Sequence, residues 1–192
     1  MAGTISDFLG SFSTDIARAS RFDVQFNVPF VLIPYVKTSR HLNFRCETAS
    51  LPGRTLNTVD RRFGSAPAQK VPVGTTYNEM DLTFIVSDDM SEKVLFEGWI
   101  EAINPTTTYN FNYRANYVSD IVITQYDVSN KPSYQVTLLE AFPIAVNQLD
   151  LDWTSENHHK LTVVLAYTNW QATAITDIAK QLETQILTSI TQ

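Results

Sequence analysis

Cysteine is almost absent from this chain: Cys46 is the one thiol among 192 residues. A lone cysteine excludes an intrachain disulfide and suits a reducing compartment. Histidine is nearly as scarce, at three residues: His41, His158 and His159. His158 and His159 are sequence neighbours, so on a strand they point to opposite faces and cannot share one metal. No H-x-x-x-H or C-x-x-C spacing occurs, and neither a P-loop, a G-x-G-x-x-G run nor a G-x-S-x-G elbow is present. Long apolar runs are missing too. The most apolar stretch, Val28 to Val36, holds two prolines and falls well short of the roughly 20 residues that cross a bilayer. The first residues show no basic region followed by an apolar core, so no secretion leader is expected there. Positive charge is also in deficit. With 14 Lys and Arg against 20 Asp and Glu, the net charge is −6, which argues against holding nucleic acid through bulk charge.

What the chain does have is apolar and aromatic mass. Hydrophobic residues make up 44% of it, including 11 Phe, 8 Tyr and 3 Trp, enough to build a core. Its length suits one domain, and its many β-branched residues favour strands. No internal repeat or low-complexity tract interrupts it.

Period-two alternation recurs along the chain. Phe22, Val24, Phe26 and Val28 alternate with polar neighbours up to Pro29. Leu42, Phe44 and Cys46 do the same, which predicts the antiparallel partner of the first strand and a buried thiol at Cys46. Met80, Leu82, Phe84 and Val86 give a further strand. Ser119–Val128 and Tyr134–Phe142 read as strands joined by a turn at Ser129–Pro132. From Ala145, Leu149, Leu151 and Trp153 alternate with Gln148, Asp150 and Asp152. After a polar turn at Thr154–Asn157, Leu161, Val163, Leu165 and Tyr167 alternate again. The intervening Thr162, Val164 and Ala166 are only weakly polar, so this last strand is expected to be covered on both faces, partly by another subunit.

Helical spacing is rarer. Asp89 is placed to cap a helix, with Glu92 completing a capping-box-like start and Leu95, Phe96, Trp99, Ile100 and Ile103 forming its apolar stripe up to Asn104-Pro105. Two terminal stripes, Ile5–Ala17 and Ile175–Ile190, predict amphipathic helical segments. The expected fold is mainly β: an antiparallel sandwich or barrel with one flanking α-helix and terminal helical segments. Residues 1–171 form the main domain, and residues 172–192 a C-terminal helical extension.

Residues 53–77 stand apart. Glycines and prolines punctuate them, Arg54, Arg61, Arg62 and Lys70 decorate them, and they hold little apolar surface. They read as a solvated loop or as an extended assembly arm.

Carboxylates are the only candidates for chemistry. Asp88-Asp89 is better explained by the helix start. Asp150 and Asp152, placed on one strand face about 7 Å apart, would suit a glycosidase pair or a cation, yet no sugar platform or third oxygen ligand accompanies them. No catalytic residue, metal or cofactor is expected. The charge layout says more. From Lys37 to Lys70 there are seven Lys and Arg against two acids, and from Val71 to Glu156 thirteen acids against three bases. That polarity suits head-to-tail stacking of copies through heterologous contacts.

Several motifs, in order, resemble the major tail tube protein of contractile-tailed bacteriophages. They are Cys46-Glu-Thr-Ala-Ser-Leu-Pro52, Lys70-Val-Pro-Val-Gly74, the strand and helix from Asn78 to Ile103, Ile121-Val-Ile-Thr-Gln-Tyr126, and Leu149-Asp-Leu-Asp-Trp153 followed by a strand and Trp170. The stretch after Gln171 is unlike a minimal member.

The resemblance implies a phage tail tube type fold that closes six-subunit rings, each subunit giving four strands to a shared 24-stranded barrel. Rings stack into a tube, with tail sheath protein outside and baseplate and tail terminator proteins at the ends. Tape measure protein and then double-stranded DNA occupy the lumen, without specific binding. The site is the virion tail, assembled in the host cytoplasm, with no membrane and no enzyme activity. Under this reading Arg54, Arg61, Arg62 and Lys70 lie at subunit or ring interfaces, and Glu79, Asp81, Asp150 and Asp152 on the lumen or ring surfaces. Competing readings are a baseplate-proximal tube initiator, the inner tube of a related injection or secretion machine, a small β-barrel hydrolase using Asp150 and Asp152, and a monomeric ligand-binding barrel.

Overall fold

The computed structural model of the protein describes residues 5, 10, 16–27, 29, 31–32, 42–154 and 156–173. Most of the terminal helix expected over Ile5–Ala17, and the C-terminal one beyond Thr173, lie outside these residues. The strands are β1 (Phe22–Phe26), β2 (Cys46–Ala49), β3 (Arg54–Arg61), β4 (Gln69–Tyr77), β5 (Met80–Ile85), β6 (Ser119–Tyr126), β7 (Pro132–Val146), β8 (Lys160–Ala166) and β9 (Asn169–Ala172). Two helices, α1 (Ser91–Ile103) and α2 (Arg114–Tyr117), lie between β5 and β6.

All pairings are antiparallel, and β7 organises them. Its first part, Tyr134–Ala141, pairs with β6, and β6 with β1. Val136–Leu139 also pairs with β9 on the opposite edge. Its last part, Phe142–Val146, pairs with β8, which leads on to β5 and β2. One strand thus carries two half-sheets, β1-β6-β7-β9 and β7-β8-β5-β2. At the changeover Glu140 adopts φ 53°, in the left-handed region, beside a bulge between Ser119 and Ile121. Such backbone is unfavourable for a side chain with a Cβ and persists where neighbours hold it. Here the Glu140 N–H donates to Asp120 Oδ1 at 3.0 Å, and its carboxylate accepts from Thr168 Oγ1 at 2.6 Å and Arg114 at 3.1 Å.

The half-sheets share a core. Val24, Ile121, Ile123, Val136 and Leu138 come from the first, Leu82, Phe84, Leu161, Val163 and Leu165 from the second, and Leu95, Phe96 and Trp99 from α1. Phe26 of β1 lies 5.9 Å from Phe84 of β5 and 6.2 Å from Phe96 of α1, so the three units meet at one aromatic point. The Trp99 indole N–H donates to the Tyr117 carbonyl at 2.7 Å, tying α1 to the end of α2. The apolar stripe expected on this helix is its buried face. Its start differs: Met90, not Asp89, occupies the cap position, in left-handed backbone and without a side-chain cap. Asp89 still accepts from the Ser91 N–H at 3.3 Å.

Two strand assignments within the main sheet need correction. Residues 42–45 are helical, Phe44 is exposed, and β2, which starts only at Cys46, pairs with β5 rather than β1. Alternation names a face but not a partner, and a single helical turn is too short to show its own period. In the other direction, the strand begun at Tyr134 does not end at Phe142. It runs on through Pro143, whose missing N–H is accommodated where the β7–β8 register shifts between Pro143 and Ala145.

Candidate functional site

Three surfaces could join one copy of this chain to another. The first is the β7-β8-β5-β2 half-sheet. Met80, Leu82 and Phe84 of β5 and Leu161, Val163 and Leu165 of β8 are buried. The alternate residues, Asp81, Thr83 and Ile85 on β5 with Thr162 and Val164 on β8, form the outer face. Register sets Asp81 opposite Val164 and Thr83 opposite Thr162, whose hydroxyls lie 3.3 Å apart. Among the described residues, no strand pairs with the outer edge of β2 or with the second edge of Phe142–Val146. Exposed strand edges are templates for further strands.

The second surface is the β3–β4 hairpin, which holds Arg54, Arg61, Arg62 and Lys70. The segment expected as a loop or arm is a two-stranded sheet separate from the main one. Every residue of β3 is exposed, and in β4 only Val71 and Tyr77 are half-buried. A lone two-stranded ribbon is marginal in water. This one is moored at its base, where the Trp170 indole donates to the Gly53 carbonyl at 3.3 Å and Tyr77 meets Tyr167 edge-on at 6.4 Å. Arg54 faces Tyr77 at that base, and Arg61 faces Gln69 near the tip. The tip turns at Gly64, φ 58°, backbone that glycine adopts without strain. Just before it, Phe63 is 74% exposed.

The third surface is the loop between β7 and β8, residues 147–159. It replaces the strand expected over Leu149–Trp153. Leu151 is 86% exposed and Trp153 fully so; their alternation with the aspartates reflects no buried face. Asp150 and Asp152 therefore do not share a strand face. Asp150 accepts from the Gln148 side chain at 3.0 Å. Asp152 accepts from the Thr154 N–H and hydroxyl, both at 2.9 Å, and these bonds hold its carboxyl below the usual range. Glu79 lies in the exposed Asn78-Glu79 link between hairpin and β5. Of the four acids expected on lumen or ring surfaces, only Asp81 sits on a strand.

Besides Arg114–Glu140, two ion pairs that sequence reasoning missed join distant segments. Lys160 Nζ lies 2.6 Å from Glu47 Oε1, across the width of β5. Glu92 is wholly buried and pairs with Arg45, while the Ser87 N–H and hydroxyl donate to it at 2.9 and 2.7 Å. Burial would raise its carboxyl, but the Ser87 bonds and then Arg45 hold it below the usual carboxylate range. A signal existed for this one: Glu92 stands three, four and seven residues before Leu95, Phe96 and Trp99, on the buried stripe. Cys46 is half-buried rather than enclosed. Burial and then the Asp23 charge push its thiol up to about 12, which makes it a poor nucleophile. Among the described residues, no group of three His, Cys, Asp or Glu is arranged to hold a metal, and no helix is long and apolar enough to cross a membrane.

A family model described as phage tail tube protein matches residues 17–173. The chain belongs to the phage tail tube protein family. Solved tube-type structures share its fold. A chain of the anti-feeding prophage baseplate, in a six-fold symmetrised cryo-EM structure, is 18% identical, with 83% of this chain and 96% of that one covered at a TM-score of 0.60. A chain of the PVC sheath-tube complex, an extracellular contractile injection system in the extended state, is 16% identical, with 89% and 98% covered at 0.60. One from the PVC sheath/tube terminator is 16% identical, with 83% and 98% covered at 0.59. No curated protein sequence matches. The divided sheet, the hairpin and the β7–β8 loop are the exposed surfaces this tail tube protein offers to a neighbour.

Proposed function

We propose that this tail tube protein closes six-membered rings that stack into the inner tube of a contractile phage tail. The observation that carries the proposal is the β7-β8-β5-β2 half-sheet, with four strands, one buried face and two outer edges that are unpaired among the described residues. In the ring, β2 of one copy pairs with Phe142–Val146 of the next. Six copies then contribute 24 strands. With strands about 4.8 Å apart and tilted about 40°, the backbone radius is roughly 24 Å, and after about 5 Å of side chain the channel is near 38 Å across. The exposed face of the half-sheet becomes the channel wall.

The wall chemistry suits a conduit. Its strands carry Glu47, Asp81 and Lys160 as their charged residues, and Lys160 is spent on Glu47. A basic wall would bind phosphates and hold DNA with each added contact, whereas this one gives it no purchase. Sheath protein lies outside the tube, and baseplate and terminator proteins at its ends. The lumen holds tape measure protein and then the genome, after assembly in the host cytoplasm. The chain's role is structural, with no catalysis. Arg54, Arg61, Arg62 and Lys70 meet neighbouring copies through the hairpin.

Electron microscopy of concentrated protein tests this directly. The expected result is rings or tubes with six-fold symmetry and a continuous inner sheet. Particles that stay monomeric at every concentration, with or without a tail baseplate to seed them, would overturn it.

A further inference from the structure

We infer that the β7–β8 loop, residues 147–159, is the socket that receives the hairpin tip of a second copy, with Trp153 meeting Phe63 and Asp150 and Asp152 meeting Arg61 and Arg62. This inference rests on the stacking part of the proposed function and names the partners within it.

Strand register carries the first step. The hairpin ends at Tyr77 and β5 begins three residues later at Met80, opposite Leu165. At the other end of β5, Ile85 lies opposite Lys160, where the loop ends. Hairpin and loop therefore leave the half-sheet at opposite ends, separated by the length of β5, about 17 Å for six residues. They do not meet within one molecule: Phe63 at the tip and Trp153 in the loop are both exposed. In two copies stacked end to end, they are the ends that face each other. The eight-residue β3 spans about 23 Å, longer than β5, so the tip reaches well past the base it grows from.

Charge and exposure carry the second step. Residues 53–77 hold Arg54, Arg61, Arg62 and Lys70 against Asp60, a net +3; residues 147–159 hold Asp150, Asp152 and Glu156 with no Lys or Arg, a net −3 with neutral histidines. Among the described residues, none of the four arm cations forms an ion pair, and Lys160, the one Lys or Arg lining the groove with Asp150 and Asp152, is paired with Glu47 instead. Each segment also sets an exposed aromatic among its charges, Phe63 beside Arg61 and Arg62, and Trp153 beside Asp152. The loop is concave: with Lys160 it lines an open groove of about 510 Å³. An aromatic anchor ringed by opposite charges is the pattern of a specific contact, with the charges steering the approach and fixing register. Because tip and socket lie at opposite ends of the same chain, the contact is heterologous and repeats from copy to copy.

The test is a disulfide trap. Chains carrying Phe63→Cys and Trp153→Cys are mixed under mild oxidation; Cys46, half-buried and with its thiol raised to about 12, stays silent. The expected product is a 63–153 cross-linked dimer at least tenfold above either variant alone, and a ladder of multimers when both substitutions are in one chain. In parallel, Asp150→Arg with Asp152→Arg should cut tube yield at least tenfold, and adding Arg61→Asp with Arg62→Asp should restore it. If wild-type protein forms tubes but the trap gives no 63–153 product, and the charge reversals leave yield unchanged, the socket is wrong and the tube reading stands. If wild-type protein forms no tubes with a baseplate seed and the mixed cysteine variants give no 63–153 product, both fall.

Discussion

Glu47 and Lys160 lie on strands that never touch, yet their side chains meet at 2.6 Å over the intervening β5. A bulge makes this possible. Register jumps between Cys46 and Thr48, so Glu47 is the unpaired residue of β2 and is turned toward β8. Both side chains are partly exposed, so removing the pair should cost less than about 1 kcal/mol. Its weight is electrostatic: it cancels the one cation on this face. Glu47→Lys with Asp81→Lys would change the wall from net −1 to net +3 per chain. Tubes of the double variant are expected to retain duplex DNA in a pull-down at low salt and to release it as salt rises, while wild-type tubes retain none. Equal release by both would refute a role for wall charge.

Replacing Arg54, Arg61 and Arg62 with Glu should separate folding from assembly. All three are exposed and stand outside the shared core. Surface changes of this kind usually shift stability by no more than about 0.5 kcal/mol each. The variant is expected to melt as a cooperative monomer near the wild-type temperature and to form no tubes by electron microscopy. Normal tube formation would count against the arm.

Arg45 and Glu92 give a stability prediction with a pH signature. Glu92 is wholly buried, while about a third of the Arg45 side chain is exposed. Arg45→Ala leaves a buried charge short of one partner, at an expected cost of about 2–3 kcal/mol by denaturant titration, below the figure for a fully enclosed pair because water reaches the guanidinium. The folded carboxyl titrates below its unfolded value of about 4.3. Its contribution is therefore present above that pH and lost as pH falls through the lower folded value. Wild-type stability should drop more steeply between about pH 4.3 and the folded value than that of Glu92→Gln, which has no proton to take up. Parallel curves would show that Glu92 is not the titrating group.

Trp99 joins packing to a single hydrogen bond. Trp99→Phe keeps most of the buried ring but strands the Tyr117 carbonyl, at an expected cost of about 2–3 kcal/mol. Trp99→Ala should cost about 3–5 kcal/mol, and α2 should then lose amide protection ahead of the rest. Equal losses in the two variants would show that the bond, not the ring, dominates.

The elements legible in the sequence are those whose residues face the shared core. Phe22, Val24 and Phe26, then Met80, Leu82 and Phe84, then Leu161, Val163 and Leu165 alternate because every second side chain is buried. The stripe on α1 is plain for the same reason. Periodicity failed where burial and pattern part company. β3 and β4 bury almost nothing, so no alternation marks them. Leu149, Leu151 and Trp153 alternate with polar residues, but Leu151 and Trp153 are exposed, and alternation without burial looks the same in sequence as alternation that builds a core. Strand partners were hidden as well, because register depends on bulges at Glu47, Val73 and Glu140 that no local propensity declares. The arm cations were legible as a charge cluster, and Asp81 as a polar strand position. Asp150 and Asp152 were read onto a strand face that the structure replaces with a loop.

The uninterrupted course of Pro132–Val146 has a mechanical meaning. Because the same peptide backbone serves as a member of both half-sheets, a twist applied to one is transmitted to the other through covalent bonds, with no hinge at which the subunit could gape. Glu140 stiffens the joint by clasping Arg114 and Thr168. In the proposed tube each copy would then move as one body, leaving bending or torsion to the seams between copies.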